Sequence, residues 1–600
     1  MRRKEYPRPQ LVREKWLNLN GSWGFMFDDL DQGMVQKWYL GDKKFDEKIE
    51  VPFVYQTKLS GIDNQENHEI IWYQKIFAVP ADFNEEKILL HFGAVDFETK
   101  VFINGLMVGE HVGGETPFTF DITPYLEENT EQVITVRVFD PRYDERIPRG
   151  KQTWEEKPHS IWYTNTTGIW QTVWLENVPS SYIKTVYFTP DIDDGSVQVR
   201  VNLIEPADNQ CIKYKIKFKE EIVASGKWDI HSPFNEVKIQ LNQQNIYRSS
   251  FHNNGWNWSP EEPNLFDVVL ELEEQNEKID EVISYFGMRK VHTEKGMVYL
   301  NNKPYYQKLV LDQGYWPESL MTAPSDEALK LDIELAKEMG FNGCRKHQKV
   351  EDPRFLYWAD KLGFLVWGES ASAHYFSDES IDFLTEEWKE IVQRDYNHPS
   401  IVTWVPFNES WGIGDIARDK KQQHYTQALY HLLHSLDSTR LVISNDGWEM
   451  TVSDITAVHN YQHGQLEEVE KFKKFNKDIG SKEGILESQS ANRPIYADGF
   501  SYQGEPILLT EFGGIGYKVG EQSGWGYTTV SSEEEFTSEY QRIMKTVFES
   551  EILFGFCYTQ LYDVEQEING LLTYDRKPKC SLEVIKEINT QYHPNMISIN

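Results

Sequence analysis

Two stretches of the chain, IVTWVPFNESWG (401–412) and PILLTEFGG (506–514), run apolar and then stop on a glutamate, Glu409 in the first and Glu511 in the second. Both acids lead into glycine-containing turns, and neither has a cation beside it in sequence. A carboxylate closing a buried strand needs a reason, because taking it out of water is costly unless it is paired. Two of them facing each other could cleave a glycosidic bond. One carboxyl protonates the leaving oxygen and the other attacks the anomeric carbon, with a separation of about 5–5.5 Å if configuration is retained. The roles demand different surroundings: desolvation and a negative partner favour a proton donor, while a cation or hydrogen-bond donors keep a nucleophile ionised. Arg345 and Tyr461 are candidates to hold Glu511 ionised, and Trp404 or Trp411 to dry the surroundings of Glu409. Asn408 is placed to hydrogen-bond a sugar 2-hydroxyl. The absence of a cation near Glu409 fits a group that must carry a proton.

The elements that would position these groups form a barrel. From residue 292 onward, short apolar strands alternate with amphipathic helices: KLVLDQ before DEALKLDIELAKEMG, FNGCRKH before DPRFLYWADKLG, FLVWGES before DFLTEEWKEIVQRDY, then IVTWVPFNES, RLVISND, DITAVHNY, PILLTEF and ILFGFCYTQ. Eight such strands predict a (β/α)8 TIM barrel. The fifth crossover is short, and the sixth carries a charge-rich insertion at 464–505 that reads as a lid or rim. Ahead of the barrel, residues 16–178 alternate apolar and polar in short runs broken by Gly, Asn, Asp and Pro, the pattern of an all-β sandwich. A second β region to 291 has the size of an immunoglobulin-like sandwich.

In such barrels the functional groups sit at the C-terminal strand ends. Those ends carry Asp312, Arg345 with His347, Glu369, Asn408 with Glu409, Asn445 with Asp446, His459 with Tyr461, Glu511 and Gln560. Any chain turns polar where a strand ends, so one such residue says little by itself. Glu409 and Glu511 stand out because of the long apolar runs they close.

Composition narrows the partners. A net charge of -34 opposes nucleic acid and anionic membranes. The start, MRRKEYPRPQ, has no apolar run behind its cations, and no later stretch is long and apolar enough to span a bilayer, so a cytoplasmic location is expected. Cys211, Cys344, Cys557 and Cys580 stand far apart without CxxC spacing, which predicts free thiols and no zinc site. There is no HExxH, HxH, GxSxG or P-loop, and GIGDIA (412–417) matches a dinucleotide fingerprint only loosely. His459 and His463 follow a strand, so structural or substrate contacts outweigh metal ligation. No metal or cofactor is expected. The 14% aromatic content offers flat faces both to cores and to sugar rings.

NHPSIVTWVPFNESWG resembles the acid/base signature of glycoside hydrolase family 2, the family of β-galactosidases, β-glucuronidases and β-mannosidases, and PILLTEFGG resembles its nucleophile segment. LNGSWGFMFDD, VFINGLMVGEHVGGETPFTFDIT and TTGIWQTVWLE look like the family's sugar-binding jelly roll. WSPEEPNLFDVVLEL and YFGMRKV look like its immunoglobulin-like middle domain, and GFNGCRKHQ falls where members carry GFNxxRxxH. The resemblance implies a jelly roll over 1–178, an immunoglobulin-like sandwich over 179–291 and a TIM barrel over 292–600. It implies Glu409 as acid/base, Glu511 as nucleophile, Asn408 at the 2-hydroxyl, and Arg345 and Tyr461 beside the nucleophile.

The departures concern specificity. Glucuronidases of this family hold the substrate carboxylate with an NxKG segment, whereas EINGLLTYDRKPK has Asn569 where that Lys would be, which disfavours a glucuronidase. The first strand end, LVLDQGYWPES, is unlike that of the best-known β-galactosidases and leaves Asp312, Gln313 and Trp316 as candidates for the sugar's far side; packing under the loop is the alternative for Trp316. Arg345-Lys346-His347 keeps a substrate carboxylate open, unless Lys346 points outward. His347, His459, Asp446 and Gln560 complete the substrate-binding set. The loop PRGKQTWEEKPHSIWY (148–163), with Arg149, Lys151 and Trp154, could reach the barrel mouth.

The expected protein is a retaining, exo-acting β-glycosidase whose partner is a small-molecule β-glycoside, with homo-oligomerisation left open. β-Galactosidase is the first reading, followed by β-galacturonidase, α-L-arabinopyranosidase, β-mannosidase and β-glucuronidase. A non-catalytic carbohydrate-binding protein is the reading from another class, and the intact Glu409/Glu511 pair with Asn408 argues against it.

Overall fold

The structure, a computed structural model, describes residues 3–128, 131–241, 255–520 and 523–591. Two antiparallel sheets make the N-terminal sandwich. One has four strands, including Lys87–Phe92 and Val173–Val178, and the other has six, with Ile70–Phe77 and Gln132–Phe139 at its centre. The alternating residues Trp23, Phe25, Ile71, Tyr73, Leu90, Phe92, Val101 and Val136 fill the space between them. The middle sandwich packs three strands (Tyr182–Asp191, Ser196–Ile204, Phe234–Gln240) on four (Gln210–Phe218, Glu221–Asp229, Phe266–Glu274, Glu277–Phe286) around a separate core.

A small antiparallel sheet over residues 291–304, not foreseen from the strand-helix rhythm, leads into the barrel. The barrel strands are β1 Gln307–Asp312, β2 Gly343–Lys346, β3 Leu365–Glu369, β4 Ile401–Val405, β5 Leu441–Val442, β6 Thr456–His459, β7 Ile507–Gly513 and β8 Leu553–Thr559. They pair in parallel in the order β5-β4-β3-β2-β1-β8-β7-β6 and lie where the eight apolar runs predicted. Parallel strands covered by helices bury both faces, hence their nearly unbroken apolar character. β5 is only two residues long, and the seam between β5 and β6 is bridged through Asp454, whose N–H donates to Val442 O at 3.0 Å.

The helices start on side chains that accept their free N–H groups. Ser325 caps Asp326–Glu338, Asp352 caps Pro353–Leu362, and Ser377 forms a capping box with Ser380 on Asp378–Asp395. The 464–505 insertion is no lid. It holds the helices Val469–Ile479 and Lys482–Glu487, which bury Phe475, Ile479 and Ile485 in the barrel core because their apolar faces have nowhere else to go. Among the described residues no helix is long and apolar enough to cross a membrane.

The N-terminal sandwich docks on the third βα unit of the barrel. Gly114 N donates to Glu387 Oε1 (3.1 Å), and the buried Glu115 accepts from Val350 N (2.9 Å) and Ala371 N (3.3 Å). That docking carries the 148–163 loop over the barrel mouth.

Candidate active site

Strand alternation puts Arg345 at the centre of the mouth. Successive side chains of β2 point to opposite faces. Arg345 points into the barrel, fully buried, while Lys346 points out to Asp312 Oδ2 (3.0 Å) and Glu351 Oε2 (2.7 Å). A buried guanidinium requires partners for its charge and its N–H groups. Arg345 Nε donates to Glu369, Nη1 pairs with Asp446 Oδ2 (3.1 Å) and Glu511 Oε1 (2.9 Å), and Nη2 donates to Asn408 Oδ1 (2.5 Å). One cation thus ties together β3, β7 and the ends of β4 and β5. His347, inward again, sets Nδ1 3.1 Å from Glu369 Oε2.

Glu511 is held as an anion. Its Oε2 accepts from the Tyr461 hydroxyl at 2.7 Å. Burial pushes its carboxyl up, but the positive charges of His459 and Arg345, with the Tyr461 hydrogen bond, outweigh burial and hold it well below the usual carboxylate range. His459 comes from β6 and is buried between acids, with Nδ1 2.8 Å from Glu409 Oε1 and Nε2 3.1 Å from Asp446 Oδ1. Burial pulls its imidazole down, but the charges of Glu511 and Asp446 and the hydrogen bond to Glu409 raise it to about 10. It is therefore an imidazolium. Glu409 has a cation beside it after all, one that arrives from fifty residues further along the chain and so left no mark in the local sequence.

The Glu409 carboxylate is aimed by its backbone. Glu409 and Ser410 adopt left-handed conformations (φ 51° and 61°) that side-chain-bearing residues rarely take. Glu409 N donates to Asp446 O (2.9 Å), Ser410 N to Asn445 Oδ1 (3.0 Å), and Ser410 Oγ to Glu449 Oε2 (2.6 Å), which together hold the turn. Glu409, His459 and Glu511 then bring one ligand-type atom each within 4.8 Å of one another. Such a trio could hold a metal, but His459 Nδ1 and Nε2 already lie within hydrogen-bond distance of Glu409 and Asp446, and Arg345 already pairs with Glu511. A metal would have to displace both cations.

A small cavity opens between the two acids. Among the expected residues, Glu409, Glu511, Asn408, Tyr461, His347 and Gln313 line it. Arg345, His459 and Asp446 lie directly behind, acting on the lining residues and not on the cavity itself. Four expectations fail on contact with the packing. Asp312 spends its carboxylate on Lys346, the Tyr562 hydroxyl and Gly314 N. Trp316 is buried under its loop, with the cations of Arg576 and Lys349 over its ring. Gln560 is sealed between Gln313 and Asn569 in a chain of amides. Trp404 points outward, its Nε1 on Asp437, and only Trp411 reaches the cavity. Lys346, facing away, is likewise removed as a holder of a substrate carboxylate.

The 148–163 loop does reach the site. Gly150 N donates to Ser372 O (3.0 Å), and Trp525 Nε1 and Gln566 Nε2 both donate to Ser160 O (2.9 and 2.8 Å), so the loop is pinned to the barrel on two sides. It adds Lys151, Ile161 and Trp162 to the cavity wall. Among the further lining residues that escaped sequence reasoning are Tyr527, Thr559 and Glu567. Tyr527 stacks on Tyr461 with centroids 3.6 Å apart, Thr559 places its hydroxyl 2.8 Å from that of Tyr461, and Glu567 accepts from the Tyr163 hydroxyl. Glu567 was open to discovery, because it stands at the Asn position of the NxKG pattern that already marked Asn569.

Comparison with known proteins gives one family for all three domains. Residues 291–593 match the model of the glycosyl hydrolases family 2 TIM barrel domain, 16–179 that of the family's sugar binding domain, and 181–289 a third model of the same family. A β-galactosidase of Thermoanaerobacter pseudethanolicus is 29% identical over 434 residues, covering 71% of this chain and 54% of that protein, so the chain spans about half its length. A β-glucuronidase of Streptococcus agalactiae is 22% identical, covering 91% of this chain and 92% of its own. The structure of a β-glucuronidase from Ruminococcus gnavus in complex with D-glucuronic acid superposes with a TM-score of 0.77 at 19% identity, over 97% of this chain and 99% of that one. At that identity the likeness is one of fold.

Proposed function

The chain belongs to glycosyl hydrolases family 2, and from that premise we propose that it is a retaining, exo-acting β-glycosidase with Glu511 as nucleophile and Glu409 as acid/base. The observation that carries this reading is a close carboxylate pair, within 4.8 Å, in which one member is held ionised by Arg345, His459 and Tyr461. Glu511 attacks the anomeric carbon as Glu409 protonates the departing oxygen; the covalent sugar is then released by a water that Glu409 deprotonates. Four carboxylates (Glu369, Asp446, Glu409, Glu511) share the two cations Arg345 and His459, so one can carry a proton without leaving the cluster positive. Of the pair, Glu409 is the one open to the leaving group, its side chain being 19% exposed against 6% for Glu511. Arg345 occupies Asn408 Oδ1, which leaves Nδ2 for a hydroxyl next to the reacting carbon. Exo action is supported by the 148–163 loop, whose Lys151, Ile161 and Trp162 wall the mouth on one side.

The sugar is read as neutral, with β-galactoside first and α-L-arabinopyranoside, which lacks only its hydroxymethyl group, next. Glu567 supports this, because a carboxylate lining the cavity repels a uronate and accepts from hydroxyls. Lys151 favours a second reading, a β-galacturonide or β-glucuronide, since its ammonium reaches the same cavity without a carboxylate salt bridge among the described residues. Aryl glycosides of the five sugars decide the choice by kcat/KM. Proton NMR of the first-formed product tests the mechanism: the β anomer is expected, and the α anomer appearing first would refute retention.

A further inference from the structure

An acid/base carboxyl must lie beside the leaving oxygen, so the leaving group departs along the Glu409 side of the cavity. That side is walled by indoles. Trp411, two residues beyond Glu409, meets Trp162 edge to face with centroids 4.7 Å apart. Trp154 backs Trp162 at 5.1 Å, and His374 packs on Trp154 and Trp162 at 4.3 and 4.6 Å. Trp411 and Trp162 face the cavity with Ile161. The wall comes from two domains, and the pinned 148–163 loop makes it rigid before any substrate arrives. The imidazole behind it is already occupied, His374 Nε2 lying 3.1 Å from Gly150 O with burial pulling it down to about 4, and the Lys151 ammonium lies 5.7 Å from the Trp162 ring centroid. A leaving group rich in hydroxyls would find few partners there, whereas a flat apolar ring would gain stacking and edge contacts at little ordering cost.

We propose that Trp411 and Trp162 form an aglycone subsite selective for a planar aromatic alcohol. This rests on the acid/base assignment of Glu409, and its test does not depend on turnover. In the Glu511→Ala variant, binding of phenyl β-galactoside and methyl β-galactoside is compared by calorimetry, together with a β-linked disaccharide carrying the same terminal sugar. The phenyl glycoside is expected to bind at least ten-fold more tightly than the other two, and the added Trp411→Ala substitution should erase that margin. Equal affinity for phenyl and methyl glycosides, no binding of either, or a disaccharide that binds as tightly as the phenyl glycoside each overturns the subsite, whether or not the Trp411 variant folds. A phenyl preference in a wild-type protein that turns over no aryl glycoside would instead strike the catalytic assignment.

Discussion

His459 Nδ1 lies 2.8 Å from Glu409 Oε1, and the same nitrogen lies 3.4 Å from Glu511 Oε2, so one imidazolium faces both members of the carboxylate pair. It holds Glu511 ionised and hydrogen-bonds Glu409.

The His459→Gln variant should therefore change the pH profile. Glu511 loses the largest of the charges that oppose its burial, its pKa rises, and the acid limb of kcat/KM moves to higher pH. Stability shifts as well. His459 is raised from 6.5 to about 10, so its contribution is complete below 6.5 and is lost as pH rises through 10. Thermal melts of the variant should consequently fall less than wild type between pH 7 and 10. An unmoved acid limb would show that His459 does not act on Glu511.

Tyr461→Phe removes the hydroxyl that donates to Glu511 Oε2 without emptying the space under Tyr527. A hydrogen bond to a charged group is worth about 1.5–3 kcal/mol. Steady-state kinetics should show kcat/KM reduced roughly 10- to 100-fold, with the melting temperature little altered. Wild-type kinetics would remove Tyr461 from the site.

Glu115→Gln probes the joint between sandwich and barrel. Burial pushes the Glu115 carboxyl from 4.5 up to about 7. Its contribution is fully present below 4.5 and is lost as pH rises through 7, a swing of roughly 3 kcal/mol. The melting temperature of the Gln variant minus that of wild type should thus become more positive between pH 5 and pH 7.5. A constant difference would contradict this.

Glu567→Gln tests the sugar reading. Removing the cavity carboxylate should raise hydrolysis of the galacturonide relative to the galactoside, measured as a ratio of kcat/KM values. A ratio that does not rise would show that Glu567 does not select against uronates.

The fold was legible because parallel strands buried on both faces leave long apolar runs, and because the acids close two of them. Arg345 and Tyr461 were legible as partners of Glu511 for the same reason: they end strands of the barrel. What escaped came from tertiary contact. His459 reaches Glu409 from another strand, Asp312 is consumed by Lys346 on the outer face, and Tyr527 and Glu567 lie in irregular loops without periodicity. Lys151 is legible with its loop as a candidate for the mouth, whereas Trp162 is not, since only the docking of the two domains decides which of the loop's side chains face the cavity.

In the proposed mechanism Glu511 becomes covalently bound to the sugar. Incubation with an activated 2-deoxy-2-fluoro β-glycoside, whose fluorine slows both steps, followed by proteolysis and mass spectrometry of the labelled peptide, tests it directly. Time-dependent inactivation with one sugar on Glu511 in the PILLTEFGG segment is expected. A label on another residue, or steady hydrolysis of the reagent without any covalent adduct, would contradict it.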